Sequence, residues 1–283
     1  MAHAARPKQQ RRRLNWRRDK ATNDESSKFE KVNPIMAPPD LSPAPDADSI
    51  QAAMEVAAFA IVSLAGIRSS DTGKHILRVQ HYVQCLVQRL KAHPRFAAVL
   101  TESYCRMLLR SVPLHDMGTI GIPDRILLKP GALTPAEYEI IKSHPTLARD
   151  AIERAELTLG CTSPLLQTVK ELAYSHHEKW DGSGYPQGLS DKNIPLPARL
   201  MAIADVYDAL ISERVYRAGL PHDQAVAIIF RGRASHFDPD MVDVFIEIQD
   251  EFRAIALRFA DTEIDMQRKI NYMANAIAED VHL

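Results

Sequence analysis

Cysteine is scarce in this chain: Cys85, Cys105 and Cys161 stand far apart, with no CxxC pair. That spacing argues against a disulfide framework, and the three read as buried apolar residues in a reducing compartment. No apolar stretch follows the basic N-terminal residues, so a signal peptide is not expected. The most hydrophobic run, Ala52–Gly66, contains Glu55 and falls short of the roughly 20 apolar residues of a membrane helix. No membrane span is expected, and the cytoplasm is the expected location. There is no GxGxxG fingerprint, no GxSxG elbow and no legible paired-carboxylate cleft, so hydride, acyl and sugar chemistry have no support. Alternating β-branched runs bounded by turn residues are missing as well. The formal net charge of −1 argues against a general nucleic-acid or membrane-surface binder.

What is present divides in two. The first residues carry Arg6, Lys8, Arg11, Arg12, Arg13, Arg17, Arg18 and Lys20 against Asp19 alone. Such a block reads as a solvated, disordered arm, with attachment to nucleic acid or an acidic partner as the sharper alternative. Pro34, Pro38, Pro39, Pro43 and Pro45 make the next stretch an extended linker. Residues 1–47 are therefore expected to be arm and linker, and 48–283 a folded domain. In the domain nearly every periodic segment predicts helix. Val79, Tyr82, Val83, Leu86, Val87 and Leu90 mark one apolar face. Segments near 50–66, 100–115, 135–155, 163–177, 197–212 and 222–231 behave likewise, and 239–278 predicts two helices. The expected fold is all-α, a helical bundle or orthogonal array.

Ionisable residues recur at the ends and apolar faces of these helices. Asp71 and His75 are four apart and share a face. His115 and Asp116 are adjacent at the end of an apolar helix, His144 precedes Pro145, His176 and His177 close a fourth helix, and Asp205 lies in the apolar string AIADVYDALIS. One histidine among apolar residues is more often a hydrogen-bonded core residue than a ligand. Five histidines, together with Asp116 and Asp205, in such settings point to a metal centre. Imidazole and carboxylate donors without thiolate suit iron, manganese or a similar ion. Neighbouring helix side chains diverge by about 100°, so an Asp beside a His is better placed to bridge two ions than to chelate one. A pair of ions held that way suits in-line phosphoester hydrolysis. His3, His81, His93, His222, His236 and His282 read as surface or structural.

The strings HDMGTIGIPDRILLKPGALTPAEYEIIKSHP, HHEKWDGSGYPQGLS and ARLMAIADVYDALISERVYR resemble the HD-GYP family, in its order and spacing, over roughly Ser69–Val242. The resemblance implies an HD-type helical core with a di- or tri-nuclear centre. It also implies hydrolysis of the second messenger cyclic di-GMP to the linear dinucleotide or GMP. It assigns His75, His115, Asp116, His144, His176, His177 and Asp205 as metal ligands and places Gly184, Tyr185 and Pro186 beside substrate. Arg214 and Arg217 match its phosphate-contacting basic positions. Two guanidinium groups a helical turn apart also suit phosphate oxygens on chemical grounds alone. The chain departs from the family at Thr119, where the pattern has a lysine beside the catalytic His115–Asp116 pair. It departs again at Asp71, where members that bind a third metal show the longer glutamate. Two divalent ions, iron or manganese, are therefore expected, with a third only if Asp71 reaches it. A slow or inactive module that binds metal and nucleotide, or docks a partner such as a GGDEF-type cyclase, is the alternative; hydrolysis of another nucleotide is the next. No receiver or sensor domain is legible ahead of the core, so the input is expected through the arm, a partner, metal supply or expression level.

Overall fold

The computed structural model describes residues 46–67, 74–213 and 218–280. Its helices are α1 (Ala47–Ile67), α2 (Lys74–Leu90), α3 (Glu102–Ser111), α4 (Asp124–Leu127), α5 (Pro135–Ile141) and α6 (His144–Leu159). They continue with α7 (Pro164–Ser175), α8 (Leu196–Ile211), α9 (His222–Arg231), α10 (Pro239–Glu247), α11 (Gln249–Arg258) and α12 (Glu263–Asp280). Two 3-10 turns, Val112–Leu114 and Met117–Gly121, follow α3. Among the described residues there is no strand, only isolated bridges joining Asp181 to Ser190 and Arg233 to Phe237. The all-α expectation holds. None of the described helices is long and apolar enough to cross a membrane. Asp71, Arg214 and Arg217 lie outside the described residues, as does the basic arm.

The core forms where amphipathic α2 meets α8. On α2 the six residues marked by periodicity are all buried. Helix α8 is buried almost all round, including Leu200, Met201, Ile203, Ala204 and Tyr207. Tyr82 stacks on Phe252 at 4.6 Å and meets the edge of Tyr207 at 5.2 Å, and Phe245 closes the cluster against Phe252 at 5.0 Å. Offset and edge-on aromatic pairs of this kind add about 0.5–1.5 kcal/mol each beyond their burial. This packing fixes α2 and α8 side by side, and each carries one of the candidate ligands on its neighbouring face.

Several boundaries differ from expectation, and proline explains the important ones. The helix expected over 135–155 is two, α5 and α6, broken at Lys142–Ser143. Pro145 has no N–H for the Ile141 carbonyl and its ring crowds the preceding turn, so a new helix starts at His144 with the proline in its first turn. The segment 100–115 similarly ends as helix at Ser111. Pro113 frees the Leu109 carbonyl, which accepts a hydrogen bond from Gln80 Nε2 at 2.9 Å. The C-terminal stretch is three helices, not two. Thr262 and Asp265 cap one another's backbone N–H at 2.9 and 3.2 Å, which restarts the chain as α12. The reading of all three cysteines as buried also needs correction: Cys105 is buried, Cys85 half-buried and Cys161 exposed. Cys161 follows Gly160, which ends α6 in the left-handed conformation at φ 63°.

Candidate metal centre

Helix ends create the site. Where a helix stops, its last carbonyls lack partners, and three histidines use them. His115 Nδ1 lies 2.9 Å from the Val112 carbonyl oxygen, His144 Nδ1 2.7 Å from that of Ile141, and His176 Nδ1 3.0 Å from that of Ala173. A carbonyl only accepts, so each Nδ1 must carry the proton and each Nε2 is left with its lone pair. His75, in the first turn of α2, is held instead by the Asp208 carboxylate, 2.9 Å from its Nδ1.

The Nε2 atoms converge on two groups. Asp116, His144, His176 and His177 form one and His75, His115 and Asp205 the other, the donor atoms within each lying within 4.8 Å of one another. Asp116 faces both. Its Oδ1 is 3.2 Å from His144 Nε2 and 3.3 Å from His176 Nε2, while its Oδ2 is 3.5 Å from His115 Nε2. His75 Nε2 is turned towards Asp205 Oδ1 at 3.9 Å. Buried atoms His115 Nε2 and Asp116 Oδ1 have no hydrogen-bond partner, and His144 Nε2 and His176 Nε2 face one another at 3.4 Å. Lone pairs pointed at lone pairs in a buried space are unfavourable unless a cation lies among them. The donor set therefore fits divalent transition-metal ions.

Electrostatics favour the ligating states. Burial lowers the pKa of His115, and burial with neighbouring His176 and His144 holds His177 well below the usual imidazole value, so both stay neutral. Burial opposes ionisation of Asp116, yet the facing imidazoles outweigh it and hold that carboxyl well below its ordinary range. Burial also opposes protonation of His144, but Asp116 raises it. A cation bound at Nε2 would oppose that shift.

Two glycines permit the close approaches. A Cβ on Gly118 would overlap the His144 carbonyl oxygen and come within 2.9 Å of Ala148 N, so only glycine lets the Met117–Gly121 turn lie on α6 and bring Asp116 to His144. A Cβ on Gly184 would lie 2.5 Å from Glu178 Cα and 2.6 Å from the His177 oxygen. The glycine of the GYP string thus rests on the His177–Lys179 backbone and lays Tyr185 against His177, ring centroids 4.8 Å apart. Pro186 follows, and Lys142 Nζ sits 5.5 Å over the Tyr185 ring. Thr119 is buried, with its hydroxyl donating to the Asp116 carbonyl oxygen at 2.7 Å. It braces the turn beneath Asp116.

A family model described as HD domain matches residues 67–241. The chain belongs to the HD domain family. A probable cyclic di-GMP phosphodiesterase of Vibrio cholerae serotype O1 is 50% identical over 208 residues, covering 74% of this chain and 47% of that protein. A cyclic di-GMP phosphodiesterase of the same organism is 48% identical over 214 residues, 76% of this chain and 43% of that one. A 3'3'-cGAMP-specific phosphodiesterase 2, also from that organism, is 38% identical over 194 residues, 69% of this chain and 34% of that one. The chain spans less than half the length of each of these relatives.

Within the HD domain, three residues around the centre escaped the sequence reading. Asp208 is buried and accepts from Arg78 Nε at 2.6 Å and Nη2 at 2.8 Å. Burial works against its ionisation, but Arg78 and then His75 bring its pKa down to about 2. Its signal was legible: Asp205 and Asp208 sit three apart in one otherwise apolar helix, and Arg78 lies three after His75. Glu178 is buried beneath the GYP loop, accepting from Gln187 N at 2.7 Å and Leu189 N at 3.0 Å, and burial pushes its carboxyl above the usual range. A cleft of about 710 Å³ is lined by residues including Arg78, Tyr207, Arg253 and Met266 but by none of the candidate ligands. The donor set, not that cavity, marks the centre.

Proposed function

We propose that this HD domain hydrolyses a cyclic dinucleotide, cyclic di-GMP, to the linear dinucleotide or GMP at two divalent ions, iron or manganese. The observation that carries the proposal is Asp116, whose two oxygens face two separate imidazole groups. Bound ions would polarise a phosphate oxygen and lower the pKa of a water for in-line attack. The chain's own residues do the rest. Carbonyl-bound Nδ1 protons keep the Nε2 donors aimed inward, Glu178 holds the GYP loop, and that loop sets Tyr185 at His177. Arg214 and Arg217 are assigned to substrate phosphate by the motif resemblance. The names of the relatives, two acting on cyclic di-GMP and one on 3'3'-cGAMP, support a cyclic dinucleotide. The proposal places the activity in residues 48–283 in the cytoplasm, with residues 1–47 a separable arm and the input reaching it through the arm, a partner, metal supply or expression level.

One observation favours the slower reading, a module that binds nucleotide with little turnover. The Thr119 hydroxyl is committed to Asp116, so that position offers neither a cation nor a spare donor to the phosphate, and losing one such donor costs ~100- to 1,000-fold in rate. The test is metal analysis of protein purified without oxygen, paired with single-turnover assays on cyclic di-GMP, 3'3'-cGAMP and linear dinucleotide. Two ions per chain and cyclic di-GMP cleavage are expected. Metal-loaded protein that binds the nucleotide without cleaving it would replace the enzyme with the binding module.

A further inference from the structure

The two groups of donors are oriented differently. In the Asp116–His144–His176–His177 group, the Nδ1 atoms of His144 and His176 rest on neutral backbone carbonyls. In the His75–His115–Asp205 group, His75 Nδ1 rests on a carboxylate buried in the centre of the fold. That carboxylate is fully engaged. Oδ1 of Asp208 accepts from Arg78 Nε, while Oδ2 accepts from Arg78 Nη2, from His75 at 2.9 Å and from the Ser212 hydroxyl at 3.2 Å. Arg78 is itself fixed from a third side, by the Phe259 carbonyl and Asp261, each at 3.1 Å.

Burying a carboxylate is costly unless an opposite charge and good hydrogen bonds accompany it. The paired bonds from Arg78 provide both. What the ion pair gains functionally is a fixed imidazole. A carboxylate behind Nδ1–H makes Nε2 a stronger electron-pair donor than a carbonyl does, and it forbids the other tautomer. We infer that Asp208, locked by Arg78, is a positioning residue that strengthens cation binding at the His75–His115–Asp205 group alone, so that the two ion positions differ in affinity. Removing an outer partner of this kind typically weakens metal binding by ~10- to 100-fold.

The inference rests on the two-ion reading above, and its test separates the two. Mn²⁺ binding to metal-free protein is measured by calorimetry for the wild type, Asp208→Asn and Arg78→Lys. Asparagine keeps the shape but has one acceptor oxygen, which cannot serve both Arg78 Nε and His75. In the wild type two equivalents are expected. In each variant one equivalent should weaken ~10- to 100-fold while the other is unchanged. A purely structural role would lower both together, and that result, or variants that keep both affinities of the wild type, overturns the inference while leaving the two-ion reading intact. A wild type that binds no second equivalent overturns both. A further measurement needs no folded variant of the pair. In ¹H–¹⁵N imidazole spectra of the metal-free wild type, His75, assigned by its loss in His75→Gln, should be the Nδ1–H tautomer, and an Nε2–H tautomer overturns the inference.

Discussion

Replacing Gly118 by alanine tests whether the centre depends on how closely the Met117–Gly121 turn lies on α6. The new Cβ would meet α6 backbone, not a movable side chain: it would overlap the His144 carbonyl oxygen and lie 2.9 Å from both His144 C and Ala148 N. Ordinary contact begins at 3.4 Å, so the turn must retreat by roughly half an ångström from Ala148 and by more from His144. Forced overpacking of this kind costs about 1–3 kcal/mol, which for a domain of this size lowers the melting temperature by about 2–10 °C. The same retreat draws Asp116 away from His144 and His176, which face its Oδ1 at 3.2 and 3.3 Å. A displacement near 1 Å costs ~100-fold in rate. The assay is a thermal melt, metal content per chain and single-turnover cleavage on one preparation. Gly118→Ala is expected to melt lower, to lose metal from both groups because Asp116 faces both, and to lose most activity. A variant with the wild-type melting temperature and full metal content would refute the argument, since the turn could then have relaxed without moving Asp116.

Glu178→Gln should leave metal content near wild type but loosen the GYP loop, because an amide nitrogen replaces one carboxylate oxygen facing Gln187 N or Leu189 N. Hydrogen bonds to a charged group are worth ~1.5–3 kcal/mol, so amide exchange at one of those two residues should quicken at least tenfold, and unchanged protection at both would count against the cradle. For Asp208 the folded pKa of about 2 lies below its ordinary 3.8. Its contribution is therefore present above the ordinary pKa and is lost as pH falls through about 2. The difference is on the order of 2 kcal/mol. Urea unfolding of wild type and Asp208→Asn should give stabilities that differ at pH 7 and converge towards pH 2, and a gap independent of pH would contradict the ionised Asp208–Arg78 pair.

The sequence by itself determined the all-helical fold, because apolar periodicity such as Val79–Leu90 is a local property of the chain. It also offered the inventory of candidate donors, since the His and Asp residues stand where helices end or among apolar neighbours. The proline breaks were equally present in it, although their consequence was missed. Pro145 splits a helix, and the carbonyl it frees at Ile141 is the one that orients His144. Only the tertiary structure decided which donors share a position. His75 reaches Asp205 because α2 and α8 pack through Tyr82 and Tyr207, and Asp116 divides its oxygens between two groups because Gly118 lets its turn lie on α6. Asp208, though visible as a charge in an apolar helix, acquired a role only when Arg78 and His75 of another helix were placed against it. Spacing along a helix specifies which residues share a face. Which faces meet depends on how segments more than a hundred residues apart fill one core, and no local pattern encodes that.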